Sequence, residues 1–367
     1  MKKKMLVLSS FPANYRVAAI EGLAKDYDIT VVFNAVKDQE RNPKWFVGQE
    51  VLSYYVMDTK EHRRAAERVL KNIRQYDIIF AYDWVMPWSL PLLLRAMLLR
   101  IPYLLNSDGA FPEKRGFPKE QIKRFFISGA AAWIASGRYA RENFIHYGAD
   151  PARIFEHRFS SLHRSDILAE VVSAAEKSAL RQRLGLPDKT TFLSIGQFIE
   201  RKGFDILLEG WRGAQAEDRQ LVILGGGGKR AEYEEQIRRD GLKNVLILDF
   251  VPFEEVWDYY KASDAFVLAT REDIWGLVVN ESMACGLPVI VSDRCIAGLE
   301  LIENGQNGFI IDGNLPELWS ERISQLASQM QLRAEMGHRN LEKIRGWCLE
   351  ETNAIDLLAA ERAIRKQ

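Results

Sequence analysis

The chain has 367 residues, of which 47% are hydrophobic and 27% are charged, and its 50 basic residues balance 50 acidic ones. This composition predicts a globular protein of about two domains and excludes extended disorder and a disulfide-stapled miniprotein. The balanced overall charge does not indicate a binder of nucleic acid. The charge is uneven, because residues 1–170 hold 26 Lys and Arg against 19 Asp and Glu, a net +7, and the remainder holds 24 against 31, a net −7. Such asymmetry is expected where one half faces an anionic surface, or where two solvated surfaces have diverged.

The cysteines and the apolar segments favour a cytoplasmic protein without a membrane span. Cys285, Cys295 and Cys348 lack the CxxC spacing of a zinc site or a disulfide framework, which favours a reducing compartment. A basic start at residues 2–4 precedes an apolar run too short for a signal peptide, and we interpret this run as the first strand. The most apolar stretch, residues 84–105, is interrupted by prolines and arginines, so it is not expected to cross a bilayer.

Short apolar runs alternate with amphipathic helical runs along the chain. Helices such as 16–24 and 61–74 separate the strands predicted in the first half, which are residues 5–8, 29–33, 78–81, 103–105 and 133–135. The polar stretch 157–166 is interpreted as a linker, and its His157 and His163 have no metal-ligand spacing. Buried strands joined by helical crossovers are typical of a parallel, doubly wound sheet.

A second series of strands and helices follows a helix at 174–184. The predicted strands are 192–195, 221–224, 245–248, 265–269 and 289–292, and the predicted helices are 205–212, 231–239, 254–261, 277–285, 316–346 and 349–365. The pattern predicts an α/β protein with an N-terminal domain at 1–165, a second domain at 171–345 and a C-terminal helix at 346–367. Ligands of such sheets bind beyond the carboxyl ends of the strands, so the function is expected in a cleft between the domains.

The segment from Thr270 to Ile290 reads TREDIWGLVVNESMACGLPVI and leads from a strand through an acidic loop into a helix. The first amides of that helix, those of Gly276, Leu277 and Val278, are expected to bind phosphate because they have no acceptor within the helix. Glu281 lies about one turn further on, where a carboxylate can accept two ribose hydroxyls. The alternative is a capped surface helix with a solvated Glu281.

Two glycine-containing loops follow the first two strands of the second half. The first, GQFIERKG at 196–203, carries Arg201 and Lys202, which suit a diphosphate as a planar fork and a point charge. The second, GGGG at 225–228, lets the backbone approach a ligand closely. The alternatives are a solvated basic turn and a flexible turn.

Together these segments resemble the retaining glycosyltransferases of family 4, which have the GT-B fold. The family signature places two acidic residues eight apart with an aromatic-Gly pair between them, and here Asp273 and Glu281 flank Trp275-Gly276. An Ala-x-Gly-x-Pro-Val pattern follows at 284–289. The first acid is usually Glu, and Gln197 stands where Arg is common. The resemblance covers residues 192–311 well and the first half poorly.

The resemblance implies two Rossmann-like domains that face each other across a cleft, with the C-terminal helix returning to the N-terminal domain. It also implies transfer of a sugar from a nucleotide-diphosphate donor to a hydroxyl, with retention of anomeric configuration and without a metal or another cofactor. Arg201 and Lys202 would then meet the diphosphate, Asp273 (or its neighbour Glu272) the donor sugar, and Glu281 the ribose. The further donor-binding candidates are Gly196, Gly225, Gly226, Val251, Pro252, Trp275, Gly276, Leu277 and Val278, of which Val251 and Pro252 are expected near the base.

The first half offers weaker candidates. Asp108 follows the strand 103–105 and is the candidate catalytic residue on the acceptor side, with an Asx turn before Gly109 as the alternative. Arg16 either contacts a donor phosphate or is a surface helix residue. Residues 111–127 interleave basic and aromatic side chains, which suits an anionic membrane surface or a helix whose aromatics pack inward. On the membrane interpretation, the protein is peripheral on the inner face of the cell membrane, and its acceptor is a lipid-linked glycan or glycolipid of surface-polysaccharide synthesis.

Two other functions stay open at this point. One is a nucleotide-sugar epimerase with the same two-domain shape, and the other is a catalytically degenerate, membrane-docked binding protein, for which Gln197 and Asp273 leave room. A dinucleotide dehydrogenase is not expected, because no GxGxxG follows the first strand.

Overall fold

The computed structural model describes residues 2–35, 54–58, 60–111 and 116–365. The chain divides into two compact units, Met1–Ser160 together with Cys348–Gln367, and Ser161–Trp347. The chain therefore passes between the units twice, after Ser160 and after Trp347. Each unit is built on one parallel sheet, which confirms the predicted α/β class with two doubly wound domains.

The sheet of the first unit has the strand order β3-β2-β1-β4-β5-β6-β7, with every pairing parallel. Its strands are β1 Lys3–Ser9, β2 Tyr27–Phe33, β3 Tyr54–Val56, β4 Ile78–Ala81, β5 Tyr103–Ser107, β6 Ala132–Ser136 and β7 Ile154–His157. Its helices are α1 Asn14–Leu23, α2 Lys60–Lys71, α3 Ser89–Leu98, α4 Phe117–Ser128 and α5 Gly137–His146. His157 closes β7 and is buried, so its interpretation as a linker residue was wrong.

The alternation of side chains along β1 builds both faces of this sheet. Leu6 and Leu8 belong to one buried apolar cluster, and Met5 and Val7 belong to the other. A strand buried on both faces needs apolar residues at consecutive positions, which is why the run from Met5 to Leu8 contains no polar residue.

The C-terminal helix, α14 Leu349–Arg365, completes the first unit. Its Ala359, Ala360 and Ala363 are buried in the apolar cluster that covers one face of the sheet. Small side chains let the helix approach the strands closely. The expected return of this helix to the first domain is confirmed.

The sheet of the second unit has the order β10-β9-β8-β11-β12-β13 and is also parallel. Its strands are β8 Thr190–Gln197, β9 Arg219–Gly226, β10 Val245–Leu248, β11 Ala265–Leu268, β12 Val289–Ser292 and β13 Gly308–Ile311. Its helices are α6 Ala174–Arg183, α7 Phe204–Ala214, α8 Arg230–Arg239, α9 Phe253–Ala262, α10 Leu277–Ala284, α11 Ile296–Leu301, α12 Pro316–Ser328 and α13 Met330–Ile344. The helical sequence expected at 316–346 thus forms two helices, α12 and α13.

The strand order of the second sheet reverses direction between β8 and β11. At such a switch point the crossovers leave on opposite faces, and the carboxyl ends of the two strands open a crevice suited to a ligand. The loops that follow β8 and β11 are the two segments with basic and acidic residues singled out in the sequence. No helix in the described part of the chain is long and apolar enough to cross a membrane.

Candidate functional site

The loop after β8 presents Arg201 and Lys202 from a short 3₁₀ turn, Glu200–Lys202. Gly203 ends this turn with φ of +65°, and a Cβ atom there would lie 2.0 Å from the carbonyl oxygen of Ala269. Only glycine allows both the positive φ and this close approach. The backbone oxygen of Arg201 accepts hydrogen bonds from the Arg271 amide at 2.8 Å and the Thr270 hydroxyl at 2.9 Å. The loops after β8 and β11 are therefore joined into one rigid edge.

Asp273 holds the two cations of this edge together. Its carboxylate pairs directly with the Lys202 ammonium, and its Oδ1 lies 3.9 Å from Arg201 Nη1. Arg201 also donates to the backbone oxygen of Glu272 at 2.8 Å. The Asp273 side chain is mostly buried, whereas the Glu272 side chain is exposed. Of the two neighbouring acids, the structure brings Asp273 to the cations.

Gly276 is the N-cap residue of α10. Its φ is +97°, and its missing side chain leaves room for Cys295 Sγ, 2.6 Å from an ideal Cβ position. The amides of Leu277 and Val278 lie in its first turn, where no intrahelical acceptor is available. Trp275 is buried, donates from its indole to Asn280 Oδ1 at 2.9 Å and stacks on Trp347 at 5.6 Å. Trp275 thus fixes the start of α10 by packing.

Glu281 is 8% exposed and lies inside α10. Its Oε2 accepts a hydrogen bond from the Tyr260 hydroxyl at 2.9 Å, and its Oε1 accepts one from the Ser161 hydroxyl at 3.0 Å. Burial raises the pKa of Glu281 above its ordinary value, and these two hydrogen bonds partly offset the rise. The alternative of a solvated surface glutamate is wrong.

Contacts within the protein explain the last two glycines of β9 and the glycine that follows them. A Cβ atom at Gly225 would lie 1.9 Å from the Gly196 oxygen, and one at Gly226 would lie 2.9 Å from the Phe250 ring. Gly227, at φ of +143°, lies equally close to the Phe198 backbone. These glycines let the ends of β8 and β9 and the residues after β10 approach one another. Val251 and Pro252, the expected base contacts, follow Phe250 and are half-buried before α9.

In the first unit, Asp108 is bound to a buried arginine. The Arg16 guanidinium lies 2.6 Å from Asp108 Oδ2, and it stacks on the Tyr82 ring with 4.0 Å between its carbon and the ring centroid. Arg16 is only 3% exposed, so the alternative of a surface helix residue was wrong. Its pKa is raised because the attraction of Asp108 and neighbouring groups outweighs the opposing cost of burial.

Sequence reasoning missed three side chains that lie at these sites. Asp83 Oδ2 accepts from the Ser9 hydroxyl at 3.0 Å and the Ser10 amide at 2.8 Å. Asp83 follows the carboxyl end of a predicted strand, as Asp108 does. This position in the sequence could have marked Asp83 as a candidate. Tyr260 and Ser161, the hydrogen-bond partners of Glu281, are 21 and 120 residues away from it in the sequence. No local sequence pattern predicts either contact.

Part of the predicted membrane segment 111–127 lies outside the described residues, at 112–115. In α4, Ile122 and Phe125 are each 49% exposed, and Lys119 and Arg124 are exposed as well. Phe126 is buried in the core of the first unit. Of these two neighbouring aromatic residues, Phe125 thus lies at the surface and Phe126 in the core. Within the described ranges, no cluster of three or more His, Cys, Asp or Glu side chains is arranged to hold a metal ion.

Comparison with known proteins finds a family match within the second unit. Residues 176–343 match the family model described as Glycosyl transferases group 1. A D-inositol 3-phosphate glycosyltransferase of Xylanimonas cellulosilytica is 28% identical over 308 residues, which are 77% of this chain and 72% of that protein.

Solved structures resemble the whole chain. The structure of Anabaena Alr3699/HepE in complex with UDP gives a TM-score of 0.76, and its structure in complex with UDP-glucose gives a TM-score of 0.72. In both cases the sequence identity is 19% and the comparison covers 98% of each chain. A glycosyltransferase from Rickettsia africae gives 0.79 at 14% identity, with 100% of both chains covered. These likenesses confirm the GT-B fold.

Proposed function

We propose that this chain, whose residues 176–343 form a group 1 glycosyl transferase domain, moves a sugar from a nucleoside diphosphate to a hydroxyl group with retention of anomeric configuration. The observation that carries the proposal is the Asp273–Lys202 pair, with Arg201 beside it, at the switch point of the second sheet. The epimerase and the degenerate binding protein are not favoured by the family match.

Negative charge grows on the nucleoside diphosphate as its bond to the sugar breaks. Arg201, Lys202 and the first amides of α10 are fixed groups that can stabilise this charge without reorganising. We infer that they do so in place of a divalent metal. Gly203 and the backbone bonds to Arg201 hold the cations in place before the donor arrives.

Asp273 is assigned to the hydroxyls of the donor sugar, and Glu281 to the ribose. The donor phosphate itself helps to deprotonate the acceptor hydroxyl, so no covalent nucleophile is assigned. Asp108 is assigned to the acceptor, since a carboxylate at a strand end can accept a hydrogen bond from a hydroxyl. Its pairing with Arg16 keeps it oriented.

The donor proposed here is a UDP-hexose, because HepE, a protein of the same fold, was solved with UDP and with UDP-glucose. The acceptor proposed is a lipid-linked glycan or glycolipid, supported by the exposed Ile122 and Phe125 among the cations of α4. A phosphorylated cyclitol is the second acceptor class, because a relative is a D-inositol 3-phosphate glycosyltransferase.

Calorimetric titration with UDP, GDP, ADP, TDP and CDP, each with and without EDTA, tests the donor site. We expect UDP to bind most tightly, with an affinity that EDTA does not change. Turnover of UDP-glucose without acceptor should show slow hydrolysis. Absence of binding by all five nucleotides would contradict the proposal. Binding without any turnover would instead favour the catalytically degenerate binding protein.

A further inference from the structure

Each oxygen of the Glu281 carboxylate accepts a hydrogen bond from a described side chain. Tyr260 donates to Oε2 at 2.9 Å and Ser161 donates to Oε1 at 3.0 Å. The two donors differ in how firmly they are held. Tyr260 is fully buried in α9, whereas Ser161 is half-buried in the segment that enters the second unit.

The surroundings of Tyr260 allow its hydroxyl little freedom. Its ring packs against Phe266 with 5.8 Å between centroids and against Trp257 with 6.1 Å. Burial, together with the charge of Glu281, holds the pKa of Tyr260 well above its usual value. The phenol therefore stays protonated and acts as a hydrogen-bond donor to Glu281.

A carboxylate can accept about four hydrogen bonds. With one lone pair of Oε2 taken by Tyr260, the remaining ones point in fixed directions, and the Ser161 hydroxyl marks one direction in which an alcohol donates. A buried acceptor discriminates strongly, because a ligand that lacks the matching hydroxyl leaves the acceptor without a partner. The strength of this discrimination depends on the orientation of the carboxylate.

We propose that Tyr260 is a positioning residue that orients the Glu281 carboxylate to accept the neighbouring hydroxyls of the donor ribose. Tyr260 does not contact the nucleotide and acts only through Glu281. The inference rests on the proposed function, since it takes the ligand of Glu281 to be a nucleoside diphosphate.

The test is the ratio of two dissociation constants, those of 2′-deoxy-UDP and UDP, in the wild type and in Tyr260→Phe. We expect the wild-type protein to prefer UDP by about tenfold or more, the size of a hydrogen bond to a charged group. In Tyr260→Phe, which removes only the hydroxyl, the preference should fall to about twofold, mainly because UDP binds less tightly. Glu281→Gln should lower the ratio similarly, and adding Tyr260→Phe to it should change the ratio little.

Tyr233→Phe is the matched control. Tyr233 is a buried tyrosine of the same unit whose hydroxyl donates to the Ile199 oxygen at 3.3 Å, so its removal should leave the ratio unchanged. Melting temperatures of both variants verify that they fold. A wild-type ratio in Tyr260→Phe would overturn the inference and leave the proposed function standing. Failure of the wild-type protein to bind any nucleoside diphosphate would instead overturn the proposed function.

Discussion

Lys202 and Asp273 neutralise each other at the mostly buried end of two strands. A bound diphosphate would offer Lys202 a second anionic partner, and a sugar would offer Asp273 hydroxyl donors. The pair thus holds a cation and an anion side by side, which is the arrangement expected to suit a sugar diphosphate donor. Because charge-assisted hydrogen bonds are stronger than neutral ones, we expect removal of either side chain to weaken donor binding.

Lys202→Ala should weaken UDP binding by about tenfold or more and lower kcat/KM by about 10²-fold, the usual size of losing one donor to a developing charge. Isothermal titration and a donor-turnover assay measure the two effects. Lys343→Ala is the control, because Lys343 forms an exposed ion pair with Glu303 at 2.7 Å and should change neither value. Equal donor affinity in the Lys202 variant would remove this lysine from the site.

Asp108→Ala should destabilise the first unit as well as impair transfer. The buried Arg16 guanidinium would lose its carboxylate. Breaking a fully buried pair costs about 3–5 kcal/mol, and the cost should be smaller here because the Asp108 side chain is 24% exposed. Urea unfolding measures the loss. Replacing both residues, with Arg16→Met and Asp108→Leu, should recover much of the stability without recovering transfer. If the double variant is as active as the wild type, Asp108 has no part in the reaction.

If Glu281 binds the ribose as proposed, nucleotide affinity is expected to depend on pH. Hydroxyls bind to its ionised form, and burial raises the pKa of this carboxyl, so protonation should begin to reduce affinity above the range of an ordinary glutamate. The groups that face it are Tyr260, Ser161, Cys285 and Asp166, and the charge of Asp166 adds to the rise. UDP affinity measured from pH 8 down to 4.5 should fall as pH decreases. Glu281→Gln should lack this component, and identical profiles would contradict the assignment.

At the scale of elements, α14 is tied to the first sheet by a buried polar network. Asp356 Oδ1 lies 3.1 Å from His157 Nδ1, His157 Nε2 lies 2.7 Å from the Ser136 hydroxyl, and the Tyr82 hydroxyl donates to Asp356 Oδ2 at 3.2 Å. The hydrogen-bonded series Asp356, His157 and Ser136 resembles a hydrolytic triad. Ser136, however, is fully buried, so no substrate can reach it. The network instead anchors the helix that returns from the second unit.

Asp356→Ala should lower the free energy of unfolding, because His157 and Tyr82 would each lose a buried partner at a cost of about 1–3 kcal/mol. Denaturant unfolding of the full chain measures the change. Glu361→Ala in the same helix is the control, since Glu361 is exposed and pairs with the exposed Arg365 at 3.3 Å. Equal destabilisation by the two substitutions would show that the network does not anchor α14.

The sequence predicts the central strands of both sheets well, because strands buried on both faces are continuous apolar runs. The edge strands β3, β7 and β13, of three or four residues each, were missed, and the IFEH segment of β7 carries little hydrophobic pattern. No proline or glycine marks the break at Gln329 between α12 and α13. The site loops were located from their charges and glycines, whereas the Arg16–Asp108 pair depends on tertiary contacts that local pattern does not encode.

At the scale of the whole molecule, the charge is divided between the two halves of the chain, +7 in residues 1–170 and −7 in the remainder. A surface with cations and exposed apolar side chains binds anionic lipid more tightly than either feature alone permits. In the first unit α4 carries both, with Lys119 and Arg124 exposed alongside Ile122 and Phe125. This combination supports the proposal of a lipid-linked acceptor.

The full chain should therefore sediment with vesicles that contain anionic phosphatidylglycerol and much less with vesicles of phosphatidylcholine alone. Binding should weaken between about 50 and 500 mM salt, because the screening length shortens severalfold over this range. Ile122→Ser with Phe125→Ser should reduce binding further, whereas Met330→Ser, at an exposed methionine of the second unit, should not. Equal sedimentation of both variants with anionic vesicles would exclude α4 from the contact. Absence of vesicle binding by the wild-type protein would favour the soluble cyclitol phosphate as the acceptor class.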